Sequence, residues 1–249
     1  MPSLTGVWLA GGIGLAAAST LLIGWFVRVP KPVTAGIMAF GAGVLISTLA
    51  YELVQEANHD GGLLPTVSGF LVGAVIYVIA DTLLSRQGAQ HRKRSSELQF
   101  SEEEKSGSGR AISVGALLDG MPESIALGLS VAVGGTFSLP ILAAIAISNI
   151  PEGLSSSAGM KASKRSARYV FGVWGFITVA SGAAALLGYV FLAGGDQRTI
   201  AFVTTIAAGG ILAMLSNTMI PEAFEEDHAL TGLLATLGFL AEFVLHELG

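Results

Sequence analysis

Two short stretches of the chain, Asp119–Ser124 (DGMPES) and Ser148–Gly153 (SNIPEG), have almost the same residue pattern. Each places a proline followed by a glutamate inside an otherwise apolar segment. Inside a membrane helix, proline removes a backbone hydrogen-bond donor and bends the helix, and a carboxylate costs about 2.5–3.5 kcal/mol on insertion scales. The repetition of both unfavourable residues in matching positions predicts an ion pathway that is built from two broken helices.

The composition of the whole chain indicates a membrane protein. Of the 249 residues, 52% are hydrophobic and only 12% are charged, whereas about 25% are charged in a typical soluble domain. The absence of cysteine excludes disulfides, thiolate metal ligands and thiol catalysis. The small net charge of −5 argues against a nucleic-acid partner.

Apolar segments of about 20 residues, the length that a bilayer core requires, occur eight times. The sequence therefore predicts an all-α membrane protein in which residues 1–249 form a single domain of eight transmembrane helices. The first segment lacks a basic start and a clear cleavage site, so we expect a retained helix and not a signal peptide. The segments are Leu4–Val27, Val33–Glu56, Leu63–Leu84, Ala111–Val133, Leu139–Met160, Tyr169–Leu192, Ile200–Pro221 and Leu230–Leu248.

Basic residues predict the orientation of these segments, since lysine and arginine accumulate in cytoplasmic loops. With the N-terminus outside, twelve of the 13 basic residues lie on the cytoplasmic side, and only Arg198 lies outside. We therefore expect both termini to be extracellular or periplasmic, in a multi-pass protein of the plasma or inner membrane. The polar residues 85–110 are predicted to form a flexible cytoplasmic loop between the third and fourth helices.

An internal repeat links the second and seventh segments. Phe40–Ile46 (FGAGVLI) resembles Ile206–Leu212 (IAAGGIL) at an offset of 166 residues. These two segments run in opposite directions in the predicted topology, as do the fourth and fifth. The pattern predicts a 3+2+3 inverted repeat, an arrangement typical of secondary transporters. The alternative is a chance likeness between small-residue packing motifs.

The two Pro-Glu helices also predict a cation site. Asp119 and Glu123 are four residues apart and share a helix face; Ser148 and Glu152 repeat this spacing, and Asn149 precedes Glu152 by three residues. Each proline leaves a backbone carbonyl without its usual donor, and neither segment contains a lysine or arginine. Because these groups offer oxygen donors without a basic side chain to neutralise the acids, the sequence predicts an oxygen-rich cage around a divalent cation. The alternative is a pair of packing kinks with protonated glutamates.

The Pro-Glu helices, together with Gln55–Ala57 and Ile220–Ala223, resemble the ZIP (Zrt/Irt-like) family of divalent metal transporters. The resemblance covers essentially all eight segments. It implies the eight-helix ZIP fold with extracellular termini, a metal site between the fourth and fifth helices, elevator-type alternating access and a homodimer. It also implies that Glu123, Glu152 and Asn149 are metal ligands.

Several ligand positions depart from the family pattern. Asp119 stands where the family has histidine, Gly120 where it has asparagine, and Ser148 where it has histidine or glutamine. Ser181 stands where the sixth helix of the family often has glutamate. Thr218 likewise stands where the seventh helix of the family often has glutamate. The resemblance and the local chemistry together give six candidate ligands: Asp119, Glu123, Ser148, Asn149, Glu152 and Ser181.

The predicted function is transport of a divalent metal cation into the cytoplasm, with zinc, iron, manganese, cadmium or cobalt as the substrate. The oxygen donors favour Mn²⁺, Mg²⁺ or Ca²⁺ and allow Fe²⁺, but the affinity order of divalent metals does not exclude zinc. The alternative is a ZIP-like metal sensor or regulator that does not transport. An enzyme is not expected, since neither a His-Glu-x-x-His nor a Gly-x-Ser-x-Gly run occurs.

Other ionisable residues near the helix ends are candidate pathway residues. The alternatives for them are solvated loops, acidic helix caps and an interfacial histidine. Expected partners of the protein are divalent cations, the lipid bilayer and a second copy of the chain. The candidate pathway residues are Glu52, Glu56, Glu222, Glu225, Glu242 and His246.

Overall fold

The computed structural model describes residues 4–19, 30–89, 108–134, 139–226 and 229–248, and the regular structure in these ranges is helical. Two π-helical turns, Leu49–Gln55 and Leu215–Met219, join α2 to α3 and α8 to α9. A short segment, Ser85–Ala89, follows α4 and is kinked at Gly88. In chain order the helices are α1 (Leu4–Ser19), α2 (Lys31–Thr48), α3 (Glu56–Gly61), α4 (Leu63–Leu84), α5 (Ser108–Gly134), α6 (Leu139–Ala162), α7 (Ala167–Leu192), α8 (Gln197–Met214), α9 (Ile220–Glu226) and α10 (Thr231–Leu248).

The length and apolar character of these helices fit a multi-pass membrane protein, as predicted. Helix α4 begins and ends at the residues predicted for the third segment. Shorter apolar helices are α1, with 16 described residues, and Ile141–Leu154 within α6; residues 20–27 of the first predicted segment lie outside the described ranges. Within the described residues, six helices are both long and apolar enough to cross a membrane: Lys31–Gly61, Leu63–Ala89, Arg110–Ala132, Ala167–Leu192, Gln197–Glu225 and Thr231–Leu248.

Two expectations about helix ends and breaks are wrong. The two Pro-Glu helices were predicted to be broken, but α5 continues through Pro122 and α6 continues through position 151. One proline removes one backbone hydrogen bond, and packing against neighbouring helices holds the rest of the helix together. The predicted loop at 85–110 is also too long at both ends, because helical structure continues past Ser85 to a break at Gly88, where φ is 110°, and begins again at Ser108. Residues 90–107 lie outside the described part of the chain.

Short connections make several successive helices neighbours. Gly62, with a φ of 89°, forms the whole link between α3 and α4, and this conformation favours glycine. Ser166 caps α7 by accepting a hydrogen bond from the backbone N–H of Tyr169 at 3.2 Å. Asp196 caps α8 in the same way, and the hydrogen bonds that it accepts from Thr199 lower the pKa of its exposed carboxyl.

The helices contact one another in two groups. In the first, α2 packs along α10 and α4 packs along α8. In the second, α5 and α1 both pack along α7. Contacts of α2 with α6 and of α5 with α8 join the two groups. The largest apolar core lies at this junction, where Leu45, Leu127, Ile145 and Leu215 are all buried in one cluster.

The α2–α10 and α4–α8 pairs are built alike. Helices α2 and α8 each have 18 residues, and both lead directly into a π turn. At each crossing the backbones meet at glycines, where an added Cβ would overlap a carbonyl oxygen of the partner helix. These glycine–carbonyl pairs are Gly43–Ala235 and Gly238–Phe40 in one crossing, and Gly209–Phe70 and Gly73–Ile206 in the other. Offsets of 166 residues for α2 and α8, and 165 for α4 and α10, relate the two sets.

Replacement of Gly43 or Gly209 by alanine is expected to destabilise the protein by about 1–3 kcal/mol, the usual range for overpacking. The two variants should lower the thermal unfolding temperature of detergent-purified protein to a similar extent, because the two crossings are equivalent. Gly175→Ala in α7 is the matched control, since no heavy atom lies within 4 Å of an added Cβ there. Equal unfolding temperatures for Gly43→Ala and Gly175→Ala would contradict the close backbone contact.

Candidate functional site

Helix α5 carries two buried acids in its middle. The side chains of Asp119 and Glu123 are each only 1% exposed, and they lie within the apolar span Arg110–Ala132. Their four-residue spacing places both on one face of the helix. As predicted from the spacing, this face is turned into the protein and away from the lipid.

Helix α6 reaches this acidic face through Ser148. The Ser148 hydroxyl lies 3.4 Å from Oε1 of Glu123, and 3.1 Å from the carbonyl oxygen of Ile145 in its own helix. Both Ser148 and Glu123 are buried. The structure therefore brings together one predicted ligand from each Pro-Glu helix, with the serine as donor and the carboxylate as acceptor.

Tyr77 of α4 is a site residue that the sequence analysis missed. Its hydroxyl donates a hydrogen bond of 2.6 Å to Oδ1 of Asp119, and both side chains are buried. Tyrosine hydroxyls that are buried usually find such a partner. The available signal was a single tyrosine in the middle of the apolar helix α4, which a purely lipid-facing helix would not need.

Ser181 lies beside the same turn of α5. Its Oγ is 3.6 Å from the position that a Cβ of Gly120 would take, so the glycine leaves room for the serine next to Asp119. Ser124, a second residue that the sequence analysis missed, donates a hydrogen bond of 2.7 Å to the carbonyl oxygen of Gly120. This is a bond from a serine side chain to the carbonyl four residues earlier in the same helix.

The other two predicted ligands are buried on α6. Asn149 and Glu152 are 5% and 6% exposed. Ser156, one turn beyond Glu152, is also buried. Ser148, Glu152 and Ser156 follow one another at four-residue spacing and form a polar stripe along α6.

The predicted cage of three acids is not assembled. In the described ranges, no group of three or more histidine, aspartate or glutamate side chains is placed to hold a metal ion. Each acid of α5 contacts a hydroxyl of a different helix, Asp119 that of Tyr77 in α4 and Glu123 that of Ser148 in α6. The six predicted ligands are all buried.

The candidate pathway residues near α3 form a second polar region. Nδ1 of His246 lies 2.8 Å from Oε1 of Glu52, and the His246 ring stacks on Tyr51 with a centroid distance of 5.6 Å. Glu242 is buried, one turn before His246 in α10, whereas Glu56 is exposed. The sequence analysis thus identified the two residues of the Glu52–His246 pair but not their contact.

The candidate pathway residues near α9 are less enclosed. Glu222 is half-buried and Glu225 is exposed. In the α4–α8 pair, Asn217 of the π turn Leu215–Met219 donates a hydrogen bond of 3.3 Å to Oδ2 of the buried Asp81. Asp81 therefore contacts α8's extension, and Asn217 is a further residue that the sequence analysis did not single out.

Comparison with known proteins gives a distant curated relative. No protein-family model matches the chain. A curated protein from Arabidopsis thaliana, described as a "putative zinc transporter", is 26% identical over 220 residues, which are 86% of this chain and 34% of the relative. The chain thus spans about a third of the length of this relative. The helices themselves define the broader class, a multi-pass membrane protein.

Replacement of Tyr77 by phenylalanine should lower stability by about 1–3 kcal/mol, the usual cost of removing one partner from a buried polar group. Thermal unfolding of the purified variant would measure the loss. Tyr51→Phe is the control, because the Tyr51 ring packs on Phe243 at 5.2 Å and its hydroxyl has no hydrogen bond within the described residues. If Tyr77→Phe unfolds at the wild-type temperature, the hydrogen bond to Asp119 does not contribute to stability.

Proposed function

We propose that this protein transports a divalent metal cation across a membrane, through the region where α5 faces α6. The observation that carries the proposal is the pair of buried acids on α5, with Ser148 of α6 placed against one of them. Ionisable residues inside membrane helices are unfavourable and usually mark a path for ions or protons. The Arabidopsis relative supports a metal as the transported substrate.

Zinc is the first substrate to test, because that relative is described as a zinc transporter. Carboxylate oxygen is an accepted zinc ligand, although zinc sites more often use histidine and cysteine. The predicted ligands here supply oxygen from carboxylate, amide and hydroxyl groups and no nitrogen from histidine. Manganese and iron belong in the same test, since oxygen donors suit harder cations.

The proposed architecture is the ZIP fold, with eight transmembrane helices in a 3+2+3 inverted repeat and both termini outside the cytoplasm. The equivalent glycine crossings of α2–α10 and α4–α8 support the repeat. The division of helix contacts into two groups supports an elevator-type movement, in which α1, α5 and α7 move against the α2–α10 and α4–α8 pairs. A homodimer in the plasma or inner membrane that takes metal into the cytoplasm completes the proposal.

A metal sensor or regulator without transport is the second candidate. One observation favours it: Asp119, Ser148 and Ser181 stand where the ZIP pattern has histidine, glutamine or glutamate. Such a protein would bind metal after a rearrangement of Asp119, Glu123 and Glu152. It would not move the metal through the membrane.

Replacement of Glu123 by glutamine should reduce metal uptake into proteoliposomes to the background level, because the substitution removes the charge that attracts the cation. Ser148→Ala should reduce uptake by about 10-fold or more, the usual effect of removing a group that orients a metal ligand. The matched control is Glu247→Gln, which removes an exposed acid from α10 that is not among the candidate pathway residues. Uptake would be measured for zinc, manganese and iron in the same vesicles.

The outcomes separate the candidate functions. Wild-type uptake that is retained in Glu123→Gln would contradict the proposed site. A wild-type protein that binds metal by calorimetry, yet shows no uptake of any of the three metals, would favour the sensor. Peptide or lipid turnover by the purified protein would overturn both candidates.

A further inference from the structure

Among the described acids outside the candidate metal site, Glu242 of α10 is the least exposed. Its side chain is 1% exposed and lies inside the span Thr231–Leu248. Neither of its carboxyl oxygens has a hydrogen-bond partner among the residues that the structure describes. The hydroxyls of Ser47 and Thr48 on α2 lie beside it without reaching hydrogen-bond geometry, and that of Thr48 donates to the carbonyl oxygen of Val44.

The charged side chains nearest to Glu242 are Glu52 and His246, which form an ion pair with each other. Glu52 in the π turn Leu49–Gln55 and His246 in α10 are both close enough to influence its charge. These two side chains contact each other at 2.8 Å and are mostly buried. Glu56, one turn beyond Glu52, is exposed at the end of the helix pair. Glu56, Glu52, His246 and Glu242 therefore follow one another from the surface into the α2–α10 interface.

The other helix pair provides an internal comparison. An offset of 165 residues relates Glu242 to Tyr77 and His246 to Asp81, and an offset of 166 relates Tyr51 to Asn217. At the equivalent positions of the α4–α8 pair, Tyr77 donates to Asp119 and Asn217 donates to Asp81. The equivalent helix pair therefore packs with a tyrosine in place of Glu242 and with a neutral amide in place of Tyr51. A carboxyl at position 242 is not a requirement of the fold.

A proton fits the Glu242 position better than a metal ion. A buried carboxylate inside a membrane needs a compensating positive charge or a bound proton. No cluster of three suitable ligands surrounds it in the described ranges, and its neighbours Ser47 and Thr48 offer only hydroxyls. A proton requires no coordination shell, and a carboxylic acid can donate its hydrogen to a neighbouring hydroxyl oxygen.

We propose that Glu242 is a proton-binding site, reached from the α3 end of the α2–α10 pair through Glu52 and His246 and separate from the candidate metal site. A proton moves between Oε1 of Glu52 and Nδ1 of His246, and then to a carboxylate oxygen of Glu242. Each step breaks one O–H or N–H bond and forms another, so no oxidant or further reactant is required. The site does not depend on the proposed function, although its coupling to metal movement does.

Titratable groups on the surrounding helices are few. Helix α10 packs against α2, α6, α9 and the π turn Leu49–Gln55. Glu222 and Glu225 belong to α9, which meets the opposite end of α10, where the Thr231 hydroxyl donates to the carbonyl oxygen of Ala223 at 3.3 Å. The titratable residues on these elements, besides Glu242 and His246, are Lys31, Tyr51, Glu52, Glu152, Lys161, Glu222, Glu225, Glu226 and Glu247.

Infrared spectroscopy of the full chain in lipid nanodiscs, recorded across a pH series without metal, tests the site. The wild type should show the carbonyl band of a protonated, buried carboxyl, and Glu242→Gln should lose it. Glu56→Gln, which changes the exposed acid of the same region, should keep the band. His246→Phe and Glu52→Gln should move the pH midpoint of the band in opposite directions, by about one unit, or tenfold in proton affinity, because they remove opposite charges.

A spectrum of Glu242→Gln that matches the wild type would overturn the proposal. If Glu242→Gln does not fold, the midpoints of His246→Phe and Glu52→Gln decide, and unchanged midpoints would overturn it as well. Metal uptake into proteoliposomes with and without a pH gradient tests the coupling, and Glu242→Gln should abolish any dependence on the gradient. A wild type without metal uptake would count against the proposed function and leave the infrared result to decide the proton site.

Discussion

The absence of water in a bilayer is the constraint on which the rest of this structure depends. Asp119 and Glu123 lie in the middle of a membrane-spanning helix, so their polar atoms need partners from the protein. Tyr77 supplies a hydroxyl from α4, and Ser148 supplies one from α6. These two contacts require α5 to lie against both neighbours with one face inward, and the contact with α4 links the two groups of helices at the candidate site.

The sequence predicted the helices well because their signals are local. An uninterrupted apolar run determines where α4 begins and ends, and charge bias or Pro-Glu spacing can be read without knowing the fold. Contacts between distant residues carry no such local signal. Tyr77 and Asp119 are 42 positions apart and Glu52 and His246 are 194 apart, so neither pair could be predicted from spacing on one helix.

The predicted cage illustrates the same limit. Residue types and i to i+4 spacing correctly predicted that Asp119, Glu123, Ser148 and Glu152 would be buried. They could not predict the direction of each side chain, which depends on the donors that other helices present. A tyrosine on α4 and a serine on α6 each draw one acid of α5 towards a different neighbour. Metal binding at this site would require these hydroxyls to share the acids with the cation or to release them.

The π turns have a consequence for how the helix pairs are held together. Before its π turn, α2 packs on α10, whereas α3, which follows the turn, packs on α8. The π turn Leu215–Met219 has the same position in the other long helix. Before it, α8 packs on α4, and after it, α9 packs on α2. A π turn contains an extra residue and rotates the helix beyond it. Each of the two long helices can therefore change partners partway along its length without a loop in the lipid, and two separate helix pairs become one interlocked four-helix frame.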